Sequence, residues 1–206
     1  MYIWYVSYGS NLCEERFHCY IKGGKPDGAV KPEKGCRDKT LPKKNERITF
    51  PYQLYFAKNS SKWGKGGVAF IGHQKEKSAK TIGRMYYITE EQFIDVTAQE
   101  NNCESVVIDF DKLFQNGHQT INAGWYGRLV YLGKKDGVPM LTFTSNQDIG
   151  SEVFKVPSLA YLTTIANGLM ELGLNKKEVI DYFLQCYGIR EAFTKTTLSA
   201  YLFPEK

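Results

Sequence analysis

Apolar and polar positions along the chain form blocks that predict strands first and helices last. The first block, from Tyr2 to Ser7, is almost entirely aromatic or β-branched, which predicts a strand buried on at least one face. Six further strands are predicted, at residues 52–57, 67–72, 80–88, 104–110, 125–132 and 138–144. The last two strands are joined across Asp136-Gly137, a pair that favours a tight hairpin turn.

Two helices are predicted among these strands. The first covers residues 12–20, with Asn11 as its N-cap and Glu14 three residues later, the spacing of a capping box. The second begins after Thr89, with Gln92 at the third helical position, and Glu100 is expected just beyond its end.

From Pro157 onward the pattern is helical. Pro157 and Ser158 begin a helix with apolar positions at a 3.6-residue period up to Leu172, Asn175 caps another, and a third is predicted at 190–200. Strands followed by helices predict an α+β fold. A chain of 206 residues with 42% hydrophobic content can bury one core, so we expect one domain over residues 1–206.

The segment from Lys22 to Arg47 is a long, basic, irregular loop. It holds nine Lys or Arg and four Asp or Glu, so the whole net charge of +5 lies there. A nucleic-acid groove draws basic residues from several elements and interleaves them with aromatic residues, but this segment contains no aromatic residue. We therefore expect no nucleic-acid partner. Irregular loops of this length are usually functional or disordered.

Membrane, metal and disulfide classes are also disfavoured. Apolar runs are too short for a membrane span, and no signal peptide is recognisable, which predicts a soluble cytoplasmic protein without a membrane partner. The five cysteines form no C-x-x-C pair, which favours reduced thiols. The three histidines lack ligand-like spacing, so no metal site is expected.

The turn after the first strand is the strongest candidate binding site. Gly9-Ser10-Asn11 can present successive backbone N–H groups, and the helix that follows adds the positive end of its dipole. This combination binds a carboxylate or a phosphate. The alternative is an ordinary strand-to-helix connection.

Tyr8-Gly9-Ser10-Asn11-Leu12 resembles the signature of the γ-glutamylcyclotransferase-like family, which includes the AIG2-like proteins. Three later segments match in the same order, although the first has one extra residue before its glycine pair: Trp63 to Ala69, Gln99-Glu100, and Pro157 to Tyr161. The resemblance covers about residues 2–174, and the segment Gly35 to Thr40 is similar to bacterial members.

The resemblance implies a small, strongly curved, barrel-like sheet flanked by helices. It also implies a cofactor-independent reaction in which the α-amino group of a γ-glutamyl amino acid or amine attacks its own γ-carbonyl, releasing 5-oxoproline. Glu100 matches the family's catalytic glutamate, and we expect burial and the helix C-terminus to raise its pKa. Two alternatives remain for this position: Glu104 as the catalytic group, or Glu100 as a solvated residue.

Several other residues are candidates for the site, and each also has a purely structural interpretation. The resemblance assigns Tyr161 and Tyr8 to substrate binding, but each can equally be a core or strand-end aromatic. Arg37 can offer a charged fork to a substrate carboxylate, or it can staple its own loop through Asp38 or Glu33. Cys36 lacks an activating neighbour for a nucleophilic role. A specialised γ-glutamyl amine as substrate, or a non-catalytic binding module, stays open.

Overall fold

Strand β1 (Tyr2–Ser7) lies inside a six-stranded sheet in the computed structural model, which describes residues 1–25, 32–60 and 63–204. The sheet has the order β2-β5-β1-β8-β7-β6, and β3 and β4 form a separate antiparallel pair. Strand β1 is parallel to β8, and the other neighbours are antiparallel. The strands after β1 are β2 (Asn45–Phe50), β3 (Tyr52–Ala57), β4 (Val68–Lys75), β5 (Thr81–Thr89), β6 (His118–Thr120), β7 (Arg128–Lys135) and β8 (Val138–Thr144).

Both faces of β1 are covered, which is consistent with the prediction that at least one face is buried. Ile3 and Tyr5 belong to one buried cluster, whereas Trp4 and Val6 belong to the other. Successive side chains of a strand point to opposite faces, so this alternation places a hydrophobic core on each side of the sheet. The α+β class predicted from the sequence is confirmed, with helices flanking a mostly antiparallel curved sheet.

The helices among the described residues begin largely where their caps predict. Thr89 with Gln92, and Asn175 with Glu178, form capping boxes, and the Ser158 side chain accepts the hydrogen bond that begins the long helix. The helices are α1 (Glu14–Lys22), α2 (Glu90–Glu100), α3 (Phe110–Asn116), α4 (Leu159–Glu171), α5 (Lys176–Phe183) and α6 (Lys195–Leu202).

One predicted strand is wrong, and one predicted helix begins two residues later than expected. Residues 104–109 form no strand; they are a loop with Val107 87% exposed, and Asp109 then caps α3. The first helix begins at Glu14 rather than Leu12, because residues 10–12 form a tighter 3₁₀ turn. The pattern also missed the half-buried edge strand β2.

The long basic loop connects α1 to β2. Residues 26–31 lie outside the described residues. The flanking described parts meet in one antiparallel bridge between Gly24 and Glu33, and no helix or regular strand occurs in 23–25 or 32–44. No helix in the described chain is long and apolar enough to cross a bilayer.

Candidate active site

The turn after β1 is a three-residue 3₁₀ helix, Ser10–Leu12. It is closed by two backbone hydrogen bonds, from Leu12 N–H to the Gly9 carbonyl and from Cys13 N–H to the Ser10 carbonyl. The first N–H groups of such a turn have no acceptor inside it, which leaves those of Ser10 and Asn11 to other partners. The predicted N-cap role of Asn11 is wrong, since Cys13 occupies that position of α1 without a side-chain cap.

The Asn11 side chain instead holds Glu100. Its Nδ2 donates to Glu100 Oε1 over 2.9 Å and lies 3.2 Å from the Tyr5 hydroxyl. The side chain is buried, and its position follows from the tight 3₁₀ turn, which turns it inward instead of toward the helix end.

The fold explains how Glu100 reaches this turn. Strand β5 runs antiparallel to β1 and ends at Thr89, beside Tyr2. Helix α2 begins there and has 11 residues, which span about 16 Å, comparable to the length of β1. The helix returns along β1, so that its final residue, Glu100, lies at the opposite end of the strand.

Two cavities meet at Glu100. The outer cavity has a volume of about 610 Å³ and the inner cavity about 30 Å³. Both are lined by Ser10, Glu100, Tyr126 and Tyr161, and the inner cavity is also bordered by Gly9 and Asn11. The inner cavity is the size of about one water molecule. It lies between the 3₁₀ turn and the carboxylate.

Two tyrosines, Tyr126 and Tyr161, form part of the wall of both cavities. The Tyr161 hydroxyl accepts the Ala69 N–H over 3.2 Å, and the Tyr126 hydroxyl donates to the Ala69 carbonyl over 3.1 Å. Trp63 packs on Tyr161 with ring centroids 5.2 Å apart, which places this tryptophan in the cavity wall. A methyl group on Gly9 would lie 3.1 Å from the Tyr161 oxygen, so the two residues approach closely.

The site is rich in protonated hydroxyl groups. Burial is the main cause that raises the pKa of Tyr161 to about 12, and the negative charge of Glu100 acts in the same direction. Burial and Glu100 also raise the pKa of Tyr5 and Tyr20. These phenols are therefore neutral hydrogen-bond donors at neutral pH.

The polar groups of Tyr8 and Arg37, two predicted site residues, are paired with other parts of the protein. The Tyr8 hydroxyl donates to the Phe143 carbonyl over 2.6 Å, the arrangement of a strand-end aromatic, although its side chain borders the inner cavity. Arg37 lines neither cavity. Its side chain is 65% exposed and forms ion pairs with Asp95 (2.9 Å) and Glu91 (3.1 Å) on α2. These ion pairs connect the loop to that helix rather than joining two parts of the loop.

The Cys36 thiol is buried beside α1, where its Sγ lies 3.3 Å from the Tyr20 carbonyl. Burial, assisted by Asp95 and Asp38, raises its pKa to about 12. A nucleophilic cysteine needs a thiolate at neutral pH, and this environment opposes one.

Sequence reasoning missed several cavity residues, mainly Tyr5, Arg16, Tyr20 and Tyr126. Arg16 and Tyr20 stand four residues apart on α1, a spacing that places two side chains on one helical face. This spacing was the sequence signal that could have identified the two residues as neighbours. Nothing local marks Tyr126, because its loop approaches Ala69 only in the folded chain.

Around the inner cavity, the arrangement provides the Glu100 carboxylate, several neutral hydroxyl groups and the N–H groups of a turn. A carboxylate can take up and return a proton, and fixed donors can stabilise an oxyanion. Among the described residues, no group of three His, Cys, Asp or Glu side chains is placed to hold a metal ion.

Comparisons with known proteins identify the fold. No family model matches the sequence. The chain is 38% identical over 198 residues to histone deacetylase 5 of Arabidopsis thaliana; the match covers 88% of this chain but only 30% of that protein. Among solved structures, a γ-glutamyl cyclotransferase aligns with a TM-score of 0.52 at 16% identity, covering 88% of this chain and 86% of the other. An uncharacterised Homo sapiens protein aligns over the same shares at 19% identity and a TM-score of 0.49. The chain has the γ-glutamyl cyclotransferase fold.

Proposed function

We propose that this chain is a γ-glutamyl cyclotransferase that releases 5-oxoproline and a free amine from γ-glutamyl amino acids or amines. The α-amino nitrogen of the substrate forms a bond to its own γ-carbonyl carbon, and the amide bond to the departing amine breaks. Glu100 takes one proton from the α-ammonium group and gives it to the leaving nitrogen. The second proton, lost from the ring nitrogen as the lactam forms, is taken up by the departing amine. Because the nucleophile belongs to the substrate, its effective concentration is high without a cofactor.

The position of Glu100 carries this proposal. Its carboxylate borders both cavities, with Asn11 fixing one oxygen by a 2.9 Å hydrogen bond. A ring-closing γ-glutamyl group would occupy the inner end, and the departing amine would extend into the outer cavity. A general base needs this placement within reach of the proton that it removes.

The neighbouring donors supply the remaining needs of the reaction. The N–H groups of Ser10 and Asn11 would bind the substrate's α-carboxylate, the role expected for the turn from its sequence. The neutral hydroxyl of Tyr161, with its pKa raised to about 12, would donate to the developing oxyanion. The inner cavity of about 30 Å³ requires these walls to move apart slightly when a substrate enters.

The outer cavity, which would hold the departing amine, is much larger than the inner cavity. The outer cavity of about 610 Å³ is lined by aromatic residues such as Trp63 and Trp125 and by polar residues such as Asn59 and Asn102. Amines of different size fit this space, so the proposal covers γ-glutamyl amino acids, isopeptides and polyamine conjugates.

A turnover assay with several substrates tests the proposal. Purified full-length chain is incubated with γ-glutamylalanine, glutathione, γ-glutamyl-ε-lysine and γ-glutamylputrescine, and 5-oxoproline is measured by mass spectrometry. We expect stoichiometric 5-oxoproline and free amine from at least one compound. No product from any of them would favour a non-catalytic binding module.

The name of the Arabidopsis thaliana relative suggests deacetylation, but the matched part is 30% of that protein. In this chain, the Glu100 carboxylate and the turn donors that border the cavities support the cyclisation described above.

A further inference from the structure

Arg16, on α1, is buried in the wall of the outer cavity, with only 3% of its surface exposed. Its Nη2 donates to Glu33 Oε1 over 2.6 Å and to the Tyr20 hydroxyl over 3.3 Å. Its Nε and Nη1 have no hydrogen-bond partner among the described residues. A buried guanidinium with incomplete pairing is costly to keep, which points to a role in addition to packing.

The hydrogen bond between Arg16 and Tyr20 has a defined direction. A guanidinium can only donate, so the Tyr20 oxygen accepts from Arg16, and its own single proton is directed to another acceptor. Glu100 lines the same cavity as Tyr20 and acts on the pKa of Tyr20 both as a nearby charge and as a hydrogen-bond acceptor, so we assign the Glu100 carboxylate as that acceptor. The chain of donors therefore runs from Arg16 through Tyr20 to Glu100.

We infer that Arg16 is a positioning residue for the proposed reaction: it orients the Tyr20 hydroxyl toward Glu100, and Glu33 moderates how strongly its positive charge acts on the site. This inference rests on the proposed function of Glu100. Arg16 need not touch the substrate. Its effect reaches the carboxylate through Tyr20 and through its own electric field.

The charges around Glu100 give this effect a definite sign. The titratable groups that interact with Glu100 come from each surrounding element: Tyr5 on β1, Arg16 and Tyr20 on α1, Tyr126 ahead of β7, and Tyr161 on α4. Of these described groups, Arg16 alone is cationic. A nearby cation favours the ionised form of a carboxylate, whereas a nearby anion opposes it. Arg16 and Glu33 should thus act on Glu100 in opposite directions.

Two measurements on the full chain test the inference. The first is the pH profile of kcat/KM for 5-oxoproline release by the wild type, R16M, R16K and E33Q. The second is a ¹³C NMR titration of labelled glutamate carboxyl groups, in which the Glu100 signal is the one missing from E100Q. The titration requires no turnover.

We expect R16M to move the acidic limb and the Glu100 titration upward by roughly 1 pH unit or more, the effect of losing an opposite charge. E33Q should move both downward. R16K keeps the charge but not the planar fork, so it should retain the wild-type limb while lowering kcat. Should R16M not fold, the opposite shift in E33Q and the unchanged limb in R16K still decide the question.

If Arg16 had a purely structural role, R16M would lower activity at every pH without moving the acidic limb of the kcat/KM profile. This result would overturn the inference. An upward shift in E33Q would overturn it too. If the wild type turns over no substrate, the proposed function fails, but the NMR titration still shows whether Arg16 and Glu33 act on Glu100.

Discussion

Asn11 Nδ2 donates a hydrogen bond to Glu100 Oε1 over 2.9 Å and so joins two residues that are 89 positions apart. The first residue belongs to the turn after β1, and the second ends α2. Through this bond, the backbone donors of the turn and the carboxylate keep a fixed relative position. The proposed chemistry depends on that position.

Replacing Asn11 by Asp tests this relationship with almost no change in shape. The new carboxylate would lie against Glu100, and two like charges at this distance cannot both be accommodated easily. Loss of a hydrogen bond to a charged group predicts a fall in kcat/KM of about 10- to 100-fold at neutral pH. Steady-state kinetics measure the fall, and circular dichroism checks the fold.

Asn175→Asp is the matched control for this variant. Asn175 caps α5, and aspartate caps a helix as well as asparagine does. We expect wild-type kinetics from the control. Equal losses in the two variants would mean that the Asn11 result reports general damage.

Gly9 and Tyr161 should be energetically coupled, because a methyl group on Gly9 would meet the Tyr161 oxygen at 3.1 Å. The φ of Gly9 is negative, at −107°, so the cost of Gly9→Ala comes chiefly from space. We expect Gly9→Ala to lower the free energy of unfolding by about 1 kcal/mol, and by less when Tyr161 is replaced by Phe. Urea unfolding of the wild type, both single variants and the double variant measures the coupling. Strict additivity would show that the two side chains do not constrain each other.

Arg37→Ala should leave substrate binding unchanged. Arg37 pairs with Asp95 and Glu91 at an exposed position away from both cavities. We expect KM within about twofold of the wild-type value and little change in stability, because exposed ion pairs contribute little to the free energy of unfolding. A large increase in KM would support the carboxylate-binding role expected from the sequence, and it would require the loop to reach the cavity when substrate binds.

Alkaline pH should destabilise the fold through its buried tyrosines. Burial raises the pKa of Tyr161 to about 12 and raises that of several other phenols, namely Tyr5, Tyr8, Tyr20, Tyr86, Tyr126 and Tyr182. Above the unfolded value near 10, the unfolded chain releases these protons while the folded chain keeps them. Stability is therefore complete below about pH 10 and falls as the pH rises, by up to about 1.4 kcal/mol per tyrosine per unit.

Urea unfolding between about pH 8 and pH 11, followed together with tyrosinate absorbance, measures this dependence. We expect tyrosinate absorbance from the buried phenols to appear only as the chain unfolds. Ionisation of these groups well before unfolding would show that they are open to solvent.

Local signals predicted much of the fold. The capping boxes at Thr89 and Asn175 mark helices that begin where expected, and the apolar residues of β1 predict a strand that is buried on at least one face, as the structure has it. The sequence pattern predicted a strand wrongly where residues with a strand preference have no neighbouring strand to pair with. Val106, Val107 and Ile108 are strand-forming residues, yet they pair with no neighbouring strand and lie in a loop.

The candidate site was predictable only in part. The turn sequence and the family resemblance pointed to Gly9, Asn11 and Glu100, whereas the capping box expected at Asn11 was wrong because a 3₁₀ turn redirected its side chain toward Glu100. Local patterns carry no information about which distant residues meet. The contact of the Tyr126 loop with Ala69 and the Arg16–Tyr20–Glu100 chain depend on tertiary packing.

The identity of the acid–base group is the central claim, and Glu100→Gln compared with Glu104→Gln tests it most directly. The amide keeps the shape of Glu100 but cannot take up a proton, whereas Glu104 is exposed and lines neither cavity. The measurement is 5-oxoproline release from the best γ-glutamyl substrate, with 5-oxoproline binding as the check that the site is intact. We predict that Glu100→Gln loses roughly 10²- to 10⁴-fold in kcat, or more, while Glu104→Gln loses less than about tenfold. Full activity in Glu100→Gln, or a dead Glu104→Gln beside an active Glu100→Gln, would contradict the assignment.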